Sequence, residues 1–302
     1  MSLTVVIAFA ANLLVAIGKT IAALVTGSAS MVAESAHSWA DTGNEVFLLI
    51  AERRGARKPD ARHPLGYGKD AYIWSMFAAF GLFTAGAVVS IQHGVQELIE
   101  PEPADNFAIA YIVLAAAFVL EGISFVQAFR QTRETARLRR RSVLRQFFAG
   151  SNPTVRAVFA EDAAALVGLA FAFAGVLLHQ LTGSPIFDAI GSIAVGVLLG
   201  VVAIVLIDRN RQFLLGQAVD DETRSFALDQ LRGLPEIDRV TYLHLEFIGP
   251  ERLYLVAAVD LVGNAPEDDI ALTLRSIEDR LEEQEFIFEA VLTLSAKDEE
   301  SI

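Results

Sequence analysis

The sequence predicts an α-helical membrane protein: a six-span transmembrane bundle over residues 1–212, then a small cytoplasmic α+β domain over residues 213–302. Three observations carry that expectation. The 302-residue chain is 53% apolar with a mean hydropathy of +0.44, oilier than a typical soluble protein, where apolar residues make up about half with glycine included. The oil lies almost wholly before residue 208, while 21 of the 37 acids fall after residue 212. The Lys and Arg residues of the links between apolar runs all fall on alternate links. A net charge of −13 argues against nucleic acid as a partner, and the absence of cysteine excludes disulfides and thiolate metal sites.

A helix needs about 20 apolar residues to cross the hydrocarbon layer. Stretches 3–25, 30–52, 72–97, 106–129, 156–180 and 185–207 meet that length. The first starts at Leu3 without a basic leader and runs past cleavable length, so a span is expected rather than a removable signal peptide. The links after the first, third and fifth stretches, "TGSAS", "LIEPEPADN" and "LTGSP", carry no Lys or Arg. Those after the second and fourth carry Arg53, Arg54, Arg57, Lys58, Arg62 and Lys69, then Arg130, Arg133, Arg137, Arg139, Arg140, Arg141 and Arg145. Arg209 and Arg211 follow the sixth. Cations gather on the cytoplasmic side, which places both termini there, in a bacterial inner membrane. The run "QTRETARLRRRSVLRQ" reads as such a loop, with incidental lipid contact, in preference to a nucleic-acid or lipid-head-group patch.

Within the second stretch, "ESAHSWADTGNE" interrupts the oil. His37, Asp41 and Glu45 are spaced i, i+4, i+8, with Glu34 three residues before His37 and Asn44 three after Asp41, so they share a helix face. An ionisable group at membrane depth costs roughly 3 kcal/mol unless a partner or water meets it, so this face is expected to line the bundle interior. His37 and Asp41 offer imidazole nitrogen and carboxylate oxygen to one cation, a mixture that suits Zn²⁺. Both ligands titrate, which links cation binding to proton release. The plainer alternative is a structural hydrogen-bonded pair. A partner is expected on the fifth stretch, where Glu161 and Asp162 point about 100° apart. Either of these acids alone has a plainer role too, snorkelling to water beside Arg156. Glu121 in the fourth stretch and Asp188 in the sixth are proton carriers or helix-contact anchors.

The six-stretch count, "AESAHSWAD", "HPLGYGK" opening the third stretch, "FDAIGSIAVGVLL" and "LLGQAVDDETRSFALDQL" together resemble a cation diffusion facilitator, over nearly the whole chain. "HSWADTGNE" and "EDAAALVG" look closest to the branch of mitochondrial zinc-transporter-like proteins. The resemblance implies a homodimeric exporter that exchanges a divalent cation for protons. It implies two ligands on the second span, matching His37 and Asp41, and two on the fifth. Of those, one matches Asp162 and the other falls on Val158, which cannot bind metal. Glu161, Asn44, Glu45 or a water is left to complete the shell. An oxygen-richer set would admit Mn²⁺, Fe²⁺ or Co²⁺ beside Zn²⁺. Glu34 and Glu121 are the candidates for proton coupling. The family's loop site is matched by Asp60 and His63, but Tyr67 stands where relatives often carry His, so that site is expected to be weak or absent.

Residues 213–302 read as helix, strand, strand, helix, strand. "DDETRSFALDQLRG" has an acidic first turn and Gly233 at its end. "VTYLHLEF" and "RLYLVAAVDL" alternate around "IGPE" as a hairpin, "EDDIALTLRSIEDRLEEQ" is amphipathic, and "FIFEAVLTLSA" closes the sheet. The segment looks like the family's ferredoxin-like tail. With His244 its one histidine, it is expected to dimerise rather than sense metal. His93 and His179 are expected as wet residues at the outer ends of their helices. The function expected is a divalent metal/proton antiporter for Zn²⁺ or a similar ion, with no organic cofactor. The rival is a non-transporting membrane receptor or scaffold working through the acidic tail. An enzyme is not expected, since there is neither a His-Glu-x-x-His run nor a nucleophile set.

Overall fold

The computed structural model describes residues 3–101, 106–138 and 142–302. Arg139, Arg140 and Arg141 of the second basic link, and residues 102–105 of the acidic link, lie outside the described residues. The chain forms two compact units: residues 1–52 with 73–210, and residues 53–72 with 211–302. The basic link 53–72, which the sequence reading places within 1–212, thus packs with the C-terminal segment.

The first unit is helical. Its elements are α1 (Leu3–Thr26), α2 (Ala29–Gly55), α3 (Asp70–Gly81), α4 (Val89–Ile99), α5 (Phe107–Leu138), α6 (Val143–Ala149), α7 (Pro153–Thr182) and α8 (Ile186–Leu214). A π-helical segment, Leu82–Val88, joins α3 to α4, so the two run as one helix, Asp70–Ile99. Local chemistry sets the ends. Gly27 turns with φ +65° after α1. Asn152 caps α7 by accepting from the amides of Thr154 and Val155, with Pro153 at the first helical position, where a missing N–H loses nothing. Gly183 closes α7 in the left-handed conformation.

Among the described residues, four helices are long and apolar enough to cross a membrane: Asp70–Ile99, Phe107–Arg137, Pro153–Thr182 and Ile186–Leu214. α1 contributes a shorter apolar helix, Asn12–Thr26. α2 has 27 residues but carries the polar stripe. Small residues bring the helices together, as lipid-embedded interfaces require. A Cβ at Gly94 would sit 2.8 Å from Ala189 O, and one at Gly196 would sit 2.9 Å from Ala87 O, so α8 touches both α4 and the π-helical segment backbone to backbone. Met31, Leu114, Leu169 and Val176 fill one core cluster, and Leu82, Val195 and Leu199 fill another. Leu24, Ile112, Phe118 and Ile204 are exposed on the outside of this unit.

The second unit follows the helix, strand, strand, helix, strand order: α9 (Asp221–Arg232), β1 (Ile237–Gly249), β2 (Arg252–Leu261), α10 (Glu267–Glu282) and β3 (Ile287–Leu294). The sheet order is β1-β2-β3. β1 and β2 are antiparallel across Pro250 and Glu251, the latter at φ +57°. β3 lies parallel to β2, which demands the α10 crossover between them. Leu231 of α9 and Ile277 and Leu281 of α10 pack on Val240, Leu255 and Val259 of the sheet. Within the same unit Tyr72 stacks on Phe213 with ring centroids 5.0 Å apart. Gly68 approaches β1 so closely that a Cβ there would lie 2.5 Å from Ile248 O.

Candidate functional site

α2 turns its polar stripe inward. Glu34, His37 and Asn44 are at most 1% exposed. Asp41 and Glu45 border a cavity of about 80 Å³, walled also by Asn12 and Val15 of α1, Ser38 and Leu48 of α2, Glu121 and Ser124 of α5, and Val158, Glu161 and Asp162 of α7. Five carboxylates from three helices therefore face one small space. Carboxylates so dense in a low-dielectric wall need protons or a cation as counter-charge.

Each acid is held differently. Ser124 Oγ donates to Asp162 Oδ2 at 2.8 Å. Asn44 Nδ2 donates to Glu161 Oε1 at 3.0 Å, and Asn12 Nδ2 to Glu45 Oε1 at 2.6 Å. Asp41 Oδ1 and Glu45 Oε2 are buried without a hydrogen-bond partner. His37 sits behind the cavity wall rather than on it. Its Nε2 lies 3.4 Å from Asp41 Oδ2, and neither ring nitrogen makes a hydrogen bond. Among the described residues, no three His, Asp or Glu side chains are already gathered as a ready cluster for an ion.

The structure thus brings Asp41, Glu45, Glu121, Glu161 and Asp162 together, with His37 and Asn44 immediately behind them. Val158 is on the wall. Glu34 is elsewhere: its Oε2 takes a hydrogen bond from Lys19 Nζ at 2.9 Å. Asp188 serves as an anchor, accepting the Ser30 amide of α2 at 3.2 Å while its backbone carbonyl takes the Ser30 hydroxyl at 2.9 Å. Lys19, Asn12, Ser38 and Ser124 were missed by the sequence reading. Lys19 and Asn12 break an apolar run and were detectable as such. A lone serine in a membrane helix carries no comparable signal. His179 is buried at 6% exposure, edge-on to Phe107, rather than wet as expected.

In the second unit, the link carries Asp60 and His63. Asp60 Oδ1 accepts from the amides of Arg62 and His63, both at 2.9 Å, and Oδ2 accepts from Tyr67 Oη at 2.7 Å. The Tyr67 hydroxyl, followed by the backbone amides, holds the Asp60 carboxyl at about 2, below its usual range. The His63 ring packs on Tyr67, and Arg57 stands 4.3 Å over the same ring. Asp60 thus spends its oxygens on closing a turn. His244 is half-exposed, 3.8 Å from Glu246.

The family model of the cation efflux transmembrane domain matches residues 5–215. Metal tolerance protein C4 of Arabidopsis thaliana is 39% identical over 233 residues, 77% of this chain and 51% of that protein. The mitochondrial proton-coupled zinc antiporter SLC30A9 of Xenopus laevis is 33% identical over 279 residues, 90% of this chain and 50% of that protein. Its human counterpart is 32% identical over 259 residues, 86% of this chain and 46% of that protein. The chain spans about half the length of these curated relatives.

Proposed function

This chain belongs to the cation diffusion facilitator family, in the branch of the metal tolerance and mitochondrial zinc antiporter proteins, and from that membership we propose that it is a membrane antiporter exchanging a divalent transition-metal cation for protons. Zn²⁺ is the first choice of cargo, and Mn²⁺, Fe²⁺ and Co²⁺ are the rivals. The observation that carries the reading is the convergence of Asp41, Glu45, Glu121, Glu161 and Asp162 on one cavity, with the unpartnered His37 ring against Asp41. The Xenopus laevis relative is a zinc antiporter by name, which supports the choice of cation.

In this reading Asp41 and Asp162 offer oxygen ligands across the cavity, and rotation of His37 adds a nitrogen. The shell that Val158 leaves open is filled by Glu161, Glu45, Asn44 or water, an oxygen-rich set for a borderline ion. Protons arriving at the same carboxylates and imidazole displace the cation, because each ligand atom holds either one or the other. Alternating access is a rocking of the helices around this point. We further infer six spans, with α1 and α2 completing the four apolar helices. The described ends of the chain then lie on the cytoplasmic side, the orientation that the loop arginines favour, and a bacterial inner membrane is the proposed location. The tail is read as a ferredoxin-like domain pairing two copies, and no enzymatic chemistry is invoked.

The test is Zn²⁺ uptake into proteoliposomes under an imposed pH gradient, with wild type beside His37→Ala, Asp41→Ala and Asp162→Ala. Wild type should transport, and each substitution should abolish most of the flux. Undiminished flux in Asp41→Ala and Asp162→Ala would end the site assignment.

A further inference from the structure

Of the five acids on the cavity wall, Glu121 alone has an ammonium in ion-pair range among the described residues. That ammonium is Lys19 of α1, whose side chain is fully buried. Its Nζ lies 2.9 Å from Glu34 Oε2 and 3.8 Å from Glu121 Oε1. The first contact is a hydrogen bond. The second is too long for one, although an ammonium carries three N–H donors. Lys19 is therefore pinned to α2 and only loosely paired with α5. Glu34 has little room to leave: it is fully buried, and a Cβ on Gly168 of α7 would come within 3.0 Å of its Oε1. Glu121 is 16% exposed and faces the cavity.

We propose that Lys19 is a tethered counter-cation that competes with the cargo for Glu121 and so selects which ions the cavity accepts. A monovalent ion brings no more charge than the ammonium and lacks its tether, so it does not take Glu121 from Lys19. A divalent ion brings twice the charge and draws the carboxylate to itself, while Lys19 stays with Glu34. Lys19 touches no cargo. It is a positioning residue that acts through Glu121, and the assignment rests on the reading of the cavity as a cation path.

The experiment is calorimetric titration of Zn²⁺ into the purified full chain in detergent, in choline and in potassium buffers. The variants are Glu34→Gln and Lys19→Met/Glu34→Gln, each also made in a Glu121→Gln background. Glu34→Gln lets Lys19 close on Glu121 and should weaken Zn²⁺ binding about tenfold, the scale expected for one repositioned charge in a poorly screened site. The double variant frees Glu121 and should tighten binding. Potassium should then compete with Zn²⁺ in the double variant and not in wild type. Every shift should vanish in the Glu121→Gln background. Shifts of the same sign in both variants, or shifts that persist without Glu121, would reduce the Lys19–Glu34 pair to a structural support and overturn the proposal. Should the double variant fail to fold, Glu34→Gln decides alone: unchanged or tighter Zn²⁺ binding overturns it. A wild type that binds no Zn²⁺ defeats the cation-path reading itself, an outcome distinct from wild-type binding with insensitive variants.

Discussion

Asn44 Nδ2 donates to Glu161 Oε1 at 3.0 Å, a buried hydrogen bond that ties α2 to α7 beside the cavity. On its other side Asn44 faces Gly81, where a Cβ would lie 3.2 Å from Asn44 Oδ1. Gly81 immediately precedes the π-helical segment of the third helix, so one amide on α2 meets two other helices. Asn44→Leu leaves Glu161 without its donor and should lower stability by about 1–3 kcal/mol. Thermal unfolding of the detergent-solubilised protein measures this, and Zn²⁺ flux should fall with it. An unshifted melting temperature would mean that water replaces the amide at no cost.

Val158 is on the cavity wall, at the position where the family resemblance implies a fourth metal ligand. Val158→His should complete a tetrahedral nitrogen and oxygen set. Zn²⁺ affinity should rise by about tenfold or more, and preference for Zn²⁺ over Mn²⁺ should widen, since imidazole suits zinc better than manganese. Turnover should fall as release slows. Competitive binding of the two ions and initial uptake rates read both effects, and an unchanged Zn²⁺/Mn²⁺ ratio would place Val158 outside the coordination shell.

The turn at Asp60 makes a pH prediction. Its carboxyl is held at about 2, chiefly by the Tyr67 hydroxyl, against an ordinary value of 3.8. The folded value is depressed, so the turn's stabilisation is fully present above the unfolded value and is lost as pH falls through the folded one. A carboxyl-resolved NMR titration should find the Asp60 midpoint near 2 in the wild type. In Tyr67→Phe the midpoint should move up toward 3.8. No movement would remove Tyr67 as the cause.

Gly68 is packed against β1 with no room for a side chain. A Cβ would lie 2.5 Å from Ile248 O and 2.7 Å from Gly249 Cα, and backbone cannot yield as a flexible side chain does. Gly68→Ala should destabilise the second unit by about 1–3 kcal/mol, the range for overpacking. Hydrogen exchange in residues 53–72 should quicken while exchange in α9 and α10 changes less. Uniform protection across the unit would show that the strand shifts to make space.

Much of the candidate site was legible along the chain because membrane depth makes polar residues conspicuous. His37, Asp41, Glu45, Glu161 and Asp162 stand out in apolar helices for the energetic reason that keeps them facing inward. The same argument extends to Lys19, a single cation within the first apolar run, whose partners Glu34 and Glu121 are visible only in three dimensions. Asp188 shows the limit of periodicity. Its spacing left carrier and anchor equally open, and only the Ser30 amide at 3.2 Å made it an anchor. Asp60 shows another, for a loop motif with ligand-like residues closes instead on its own backbone.

Chain chemistry alone determines the long apolar helices, the inward polar stripe on α2 and the helix, strand, strand, helix, strand tail, since each follows from local periodicity and the energetics of burial. Which carboxylates share a cavity, that His37 stands behind Asp41, that Glu34 belongs to Lys19, and that residues 53–72 pack with the tail were decided only in three dimensions. Those contacts join residues far apart in sequence, and they depend on how close glycine and alanine let one helix or strand approach another.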